Sequence, residues 1–191
     1  LYGFPYCNYD AGKLKNETRC SAKYQNFNDR MKYIYDNSQA LYPSIYLNNK
    51  ADPERNFRYV QAIIAETKRV AEVQRKTNNR KLPIFVYTKF EYDPFKDFKS
   101  YYTMEDLCST ILLPYLMGVD GFIFWSTSND MPKRCTPIPK YVEDTLGPFV
   151  QDVVKGRHGQ MAKVYEPNRV WQFEKVCPSH VLNTYKTNSN F

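Results

Sequence analysis

No C-x-x-C pair occurs in this chain, and its only two histidines, His158 and His180, stand apart from most of the cysteines. A structural zinc site takes four clustered Cys or His ligands, so the pattern argues against one, and neither metal nor cofactor is expected. Long hydrophobic runs are missing too. Nothing approaches the roughly 20 apolar residues that cross a bilayer, which sets a transmembrane segment aside. Leu1 is not an initiating methionine and no signal-peptide pattern follows it, so the chain reads as an internal or processed piece.

What the chain has is aromatic and basic. Of its 191 residues 42% are hydrophobic and 16% aromatic, with 17 Tyr, a composition that suits one globular domain and not a disordered protein. The formal net charge of +7 points to an anionic partner: nucleic acid, a membrane surface or an acidic polysaccharide. No nucleic-acid recognition motif is present, so nucleic acid is set aside.

The five cysteines are Cys7, Cys20, Cys108, Cys135 and Cys177. Cys7 and Cys20 bracket a polar loop rich in Asn and Lys, which suits a local disulfide. Inside that loop Asn16-Glu17-Thr18 is the chain's single N-x-[ST] sequon, with Asn16 the glycan acceptor. A sequon inside a loop closed by two cysteines points to a secreted (or lysosomal) protein. Cys108 falls on the apolar stripe of a helical pattern and is expected to be a buried free thiol.

Periodicity orders the chain. Leu1 to Pro5 reads as the end of a strand. Phe27, Met31, Ile34 and Tyr35 recur at helical spacing within residues 22–37. Leu41 to Leu47 is a short apolar and aromatic run that reads as a buried strand, with Leu41, Pro43, Ile45 and Leu47 on one face and Tyr42, Ser44 and Tyr46 on the other. Asp52 can cap a helix opening at Pro53 and running to about Lys76. Leu82 to Tyr87 is a strand with few polar residues, expected to be covered on both faces. Met104, Leu107, Cys108, Ile111, Leu112 and Tyr115 mark a helix capped by Thr103 and ended or kinked at Pro114. Gly121 to Trp125 is the next buried strand, and a last helix over 138–154 is interrupted near Gly147-Pro148. From Lys155 the periodicity fades, and residues 156–191 are left as a basic, irregular, unassigned tail.

Strands alternating with helices at this spacing mean βαβ units and a parallel sheet. A complete (β/α)₈ barrel takes about 250 residues, so residues 1–155 make half of one. Right-handed crossovers bring the strand ends to one rim, which collects Tyr2, Tyr46, Tyr87, Asp93 and Trp125. A pyranose ring stacks its apolar face on an indole or phenol while hydroxyls and an acid orient its polar edge. Core tyrosines with satisfied hydroxyls would look the same at this level.

The motifs YGFPYCNYD (2–10), ALYPSIYL (40–47), LPIFVYTKFEYD (82–93), GVDGFIFW (118–125) and TLGPFV (145–150) are similar, in order and spacing, to the C-terminal half of the animal and venom hyaluronidases, glycoside hydrolase family 56. The resemblance covers residues 1–154. It implies a distorted (β/α) TIM-type barrel and a secreted, monomeric glycosidase that cleaves β-1,4 N-acetylglucosaminide bonds of hyaluronan or chondroitin. The implied mechanism is retaining and substrate-assisted, with the acetamido oxygen attacking its own anomeric carbon. The alternative it leaves open is an inactive homologue, or a truncated product, that binds glycosaminoglycan without turnover.

Carried over residue by residue, Tyr2 lines the site, Tyr46 lies against the acetamido group and Trp125 forms the subsite floor. Tyr87 and Asp93 also match cleft positions. Lys89 is a candidate for the sugar carboxylates. The family's acid pair, Asp-x-Glu, falls upstream of Leu1, so no catalytic residue is expected in this chain and the fragment alone is expected to be inactive. Asp52-Pro53-Glu54 has the right letters but sits at a helix start, and Glu91-Tyr92-Asp93 has the reverse order. The resemblance pairs Cys7 with Cys20 and leaves Cys135 unpaired, its partner lying upstream. Ser126-Thr127-Ser128 stands where the family has a glycine-containing turn.

Overall fold

Burial along Leu41–Leu47 alternates residue by residue. Leu41 (2%), Ile45 (0%) and Leu47 (3%) are sealed with Pro43, while Tyr42, Ser44 and Tyr46 are only half-buried. The period of two is that of a strand with one face on a core. This computed structural model describes residues 3–48, 52–156 and 169–184.

Helix α1 spans Ala22–Arg30, α2 Lys32–Asp36 and α3 Pro53–Asn78. Strand β1 is Phe85–Thr88, α4 covers residues 104–116, and β2 is Gly121–Phe124. Beyond it come α5, Met131–Arg134, and α6 over residues 137–154, then α7, Phe173–Val176, and α8, Ser179–Asn183.

β1 and β2 pair in parallel, Phe85 opposite Gly121 through Thr88 opposite Phe124. The 41–45 segment lies parallel to β1 on its other side, with Phe85 N–H donating to Leu41 O and Tyr87 N–H to Pro43 O, each at 2.9 Å. Pro43 has no N–H to give, so the segment makes isolated bridges where a continuous strand was expected. Gly3 and Phe4 meet Tyr42 in an antiparallel bridge, at variance with the parallel first strand expected there, and Gly3 takes φ +84°, which glycine tolerates. β1 is not covered on both faces among the described residues. Val86 and Thr88 are buried while Phe85 and Tyr87 are half-exposed.

The sealed faces of the 41–47 segment and β1 pack with α3 and α4 in one core that includes Phe57, Val60, Ile64, Leu107 and Leu113, whereas β2, expected to be buried, has no sealed residue and lays only Phe122 against that core. Asp52 caps α3 by accepting from Glu54 N–H at 3.0 Å, and Asn79, at φ 51°, ends it. Three polar residues of α3 that face inward meet partners on other helices, while buried Thr67 donates to Ile63 O of its own helix at 2.8 Å. Asn56 Nδ2 donates to Asp106 at 2.8 Å, Glu66 accepts from Asn28 at 2.8 Å, and Gln74 Nε2 donates to Asp36 at 2.9 Å. That satisfaction is what lets them be buried.

Thr103 caps α4 through its hydroxyl, which accepts from Asp106 N–H at 3.3 Å. Thr103→Ala is expected to lower stability by about 1 kcal/mol and Thr103→Ser to retain most of it, read as denaturant midpoints. Pro114 neither ends α4 nor breaks it. A π-helical turn, Cys108–Leu112, routes Leu113 N–H to Cys108 O, so the helix runs on past the proline to Leu116. The same device carries α6 through Gly147-Pro148, where Gly147 N–H donates to Val142 O across the turn Val142–Leu146. A Cβ at Gly147 would stand 2.8 Å from that carbonyl oxygen, so glycine is required there.

The segment 169–184 is ordered against the core and is not an irregular tail. Trp171, Val176, Val181 and Leu182 are buried, Phe173 meets Phe57 edge-on at 5.6 Å, and the Gln61 side chain exchanges hydrogen bonds with the main chain of Trp171. Cys177 is disulfide-bonded to Cys108, so the expectation of a free thiol at Cys108 is corrected. An apolar helical stripe does bury Cys108, but what it buries against is this returning segment. Cys7 and Cys20 form the second disulfide, Cys135 is exposed and unbonded, and Asn16 is exposed. Among the described residues no helix is long and apolar enough to cross a membrane.

Candidate functional site

The half-exposed faces of the strands carry aromatic rings. Tyr42 stacks on Phe85 at 6.1 Å and leans on Tyr87 at 6.3 Å. At the C-terminal strand ends Tyr46 and Trp125 come together, ring centroids 5.9 Å apart and planes within 22°. Trp125 is 41% exposed, so its indole forms part of the surface there. Its backbone continues the β2 ladder, Trp125 N–H donating to Thr88 O at 2.9 Å.

A layer of tyrosines beneath the rim holds this pair. The Tyr102 phenol accepts from Leu47 N–H at 2.8 Å and donates to Leu47 O at 3.1 Å, fixing the main chain directly after Tyr46. Tyr141 O–H donates to Tyr102 O at 2.8 Å, and Tyr101 and Tyr141 stack at 4.4 Å. Tyr92 O–H donates to Asp106, whose other carboxylate oxygen accepts from Asn56. Burial pushes the Asp106 carboxyl up and those two hydrogen bonds pull it back down. The structure thus sorts the tyrosines: Tyr92, Tyr101, Tyr102 and Tyr141 are framework, while Tyr46 sits at the rim.

Lys89 lies behind Tyr46, its Nζ 5.3 Å from the ring centroid and donating to Tyr92 O at 3.0 Å. It is 7% exposed, and burial lowers its pKa against the opposing pull of Asp93 and Glu91. Its ammonium therefore faces protein and an aromatic ring in this structure. Asp93 is half-buried and shapes its own loop. Its Oδ1 accepts from Phe95 N–H at 3.1 Å, and its carbonyl accepts from Asp97 N–H at 3.0 Å. Glu91, 1% exposed, is ion-paired with Arg134 at 2.6 Å. Tyr87 stands on the same sheet face, nearer Tyr42, and Tyr2 lies outside the described residues. Sequence reasoning missed Arg134, because a buried cation has no periodic signature. The one available signal was Glu91 itself, a carboxylate between Phe90 and Tyr92 just past β1.

The hyaluronidase family model matches residues 1–173. The chain belongs to the hyaluronidase family. It is 40% identical over 152 residues to a chondroitin hydrolase of Caenorhabditis elegans, covering 78% of this chain and 32% of that protein. With hyaluronidase-1 of Homo sapiens it shares 32% identity over 160 residues, 82% of this chain and 35% of that one. The crystal structure of bee venom hyaluronidase in complex with a hyaluronic acid tetramer superposes with a TM-score of 0.69 at 25% identity, covering 80% of this chain and 46% of the other. The chain spans about a third to a half of the length of these relatives. Its fold is that of the C-terminal half of a distorted (β/α) TIM-type barrel. In such a barrel the strand C-terminal ends face the substrate side, which is where this hyaluronidase-family chain carries Tyr46 and Trp125.

Proposed function

We propose that the protein carrying this chain is a secreted glycosidase that cleaves β-1,4 N-acetylglucosaminide bonds of hyaluronan or chondroitin, and that these residues supply the aromatic floor of its cleft. The observation that carries the reading is the Tyr46–Trp125 stack, a partly exposed aromatic platform at the strand-end rim. In the retaining, substrate-assisted reaction the substrate's acetamido oxygen attacks the anomeric carbon, and an acid from an upstream Asp-x-Glu pair protonates the leaving oxygen. Tyr46 hydrogen-bonds the acetamido group as charge develops on it. Trp125 stacks on the sugar face, with Tyr2, Tyr87 and Asp93 along the cleft wall. Asn16 carries a glycan, and Cys135 takes a disulfide partner upstream. The net charge of +7 suits a polyanionic substrate.

Trp125→Ala in the full-length protein is expected to weaken oligosaccharide binding by about thirtyfold, equivalent to ~2 kcal/mol for a tryptophan anchor, with little change in melting temperature. Equal losses of binding and stability would make Trp125 a packing residue instead.

A second reading is a glycosaminoglycan-binding homologue without turnover, and it has a parallel among the relatives: the chain is 30% identical over 157 residues to the inactive hyaluronidase B of Vespula vulgaris, covering 81% of this chain and 44% of that protein. Release of new reducing ends from hyaluronan or chondroitin by the natural full-length protein separates the two. Saturable binding without that release supports the second.

A further inference from the structure

Arg134 is the largest fully buried side chain among the described residues, at 0% exposure, and it belongs to the short helix α5 that follows β2 and Trp125. All five of its N–H donors are used. Nε donates to Glu91 Oε1 at 3.2 Å, and Nη2 to Glu91 Oε2 and Ser126 Oγ, each at 2.6 Å. Nη1 donates to the carbonyls of Thr127 at 2.6 Å and Asn129 at 2.9 Å. Ser126 closes the ring by donating its hydroxyl to Glu91 Oε2 at 2.6 Å. A planar guanidinium satisfied on every side, with a bidentate carboxylate, is a rigid and directional anchor.

We propose that Glu91, Arg134 and Ser126 form a positioning device for Trp125. Glu91 stands just beyond β1, and Arg134 ends α5, so the pair ties the loop after β2 back to the neighbouring strand. Trp125 is then pinned on both flanks: its own N–H on Thr88 O, and the next residue, Ser126, on the ion pair. With 41% of Trp125 exposed, the core does not enclose the indole, so its orientation rests on those flanking pins and on Tyr46. Ser126, within the stretch where the family has a glycine-containing turn, supplies the hydroxyl that glycine lacks, while the main chain of Thr127 supplies a carbonyl. Pre-setting the ring lowers the ordering cost of binding a sugar on it.

The activity arm of the test rests on the reading of Trp125 as a sugar platform, and the spectroscopic arm does not. In the full-length protein labelled with 5-fluorotryptophan, the Trp125 resonance is assigned by its loss in Trp125→Phe. Glu91→Gln is expected to shift and broaden that resonance, raise KM for oligosaccharide about tenfold and leave kcat within about twofold, as for a platform that binds ground and transition states alike. Ser126→Ala, which removes a single hydroxyl, and Arg134→Lys, which keeps the charge with three donors in place of five, repeat the measurement in milder form should Glu91→Gln fold poorly. An unmoved Trp125 resonance with unchanged KM in Ser126→Ala and Arg134→Lys, whatever the melting temperature, overturns the proposal. A moved resonance with unchanged KM upholds the positioning and removes the sugar-platform reading instead.

Discussion

Replacing Cys108 and Cys177 with alanine lowers the free energy of unfolding by about 4 kcal/mol, the chain-entropy expectation for a bond closing so long a loop. The two cysteines are 69 residues apart, against 13 for Cys7 and Cys20, whose removal is expected to cost about 3 kcal/mol on the same scale. The longer link also decides local order. Segment 169–184 holds to α3 through the Gln61–Trp171 hydrogen bonds and the Phe57–Phe173 contact, and to α4 through the disulfide. Without the bond those contacts must hold the segment alone, and it opens well below the global transition. Denaturant titration measures the first effect and limited proteolysis within 169–184 the second. A loss under about 1 kcal/mol with no new cleavage there would show the segment to be held by packing alone.

Raising the pH above about 10 unfolds the protein steeply, because its buried phenols resist ionisation only while folded. Burial raises Tyr59 from 10.0 to about 12, and pushes Tyr102 and Tyr141 well above the ordinary value. Burial also raises Tyr35 and Tyr92, with the carboxylates of Glu66 and Asp106 adding to it. In the unfolded chain these phenols ionise near pH 10, so the unfolded state sheds protons that the native state keeps. Their contribution is therefore full below pH 10 and is lost as pH climbs through the native values, about 2 to 3 kcal/mol from Tyr59 alone. Lys68 and Lys89 act in the opposite sense: burial lowers both, so stability rises slightly toward pH 10 before the phenols take over. Urea midpoints from pH 8 to 12, taken on Cys135→Ser to prevent thiol exchange, follow the curve, and Tyr59→Phe flattens part of its fall. A flat profile to pH 12 would contradict the burial of these phenols.

Much of the scaffold is readable without coordinates because its signals are local. Alternation at 41–47, the Asp52 and Thr103 caps and the helical spacing in α3 and α4 all follow from neighbours within a turn or a pleat. Proline was misjudged at 114 and 147–148, since a π turn before each proline carries the helix on, Leu113 N–H donating to Cys108 O and Gly147 N–H to Val142 O. The rim was legible in part. Strand phase put Tyr46 on the face opposite Leu41, Ile45 and Leu47, and the parallel order of the strands put it on one rim with Trp125. It could not tell that Lys89 turns inward behind the ring or that Asp93 serves its own loop.

By itself the sequence determined the order of strands and helices, the buried face of the 41–47 segment, the family and the aromatic character of the rim. Only the tertiary structure decided which distant residues meet: Cys108 with Cys177, Gln61 with Trp171, and Glu91 with Arg134. The reason is physical. Backbone propensity and periodicity act over a few residues and leave their mark in composition, whereas a disulfide, a buried amide pair or an ion pair is chosen by where two elements cross. That crossing depends on the packing of the whole core and leaves no local trace.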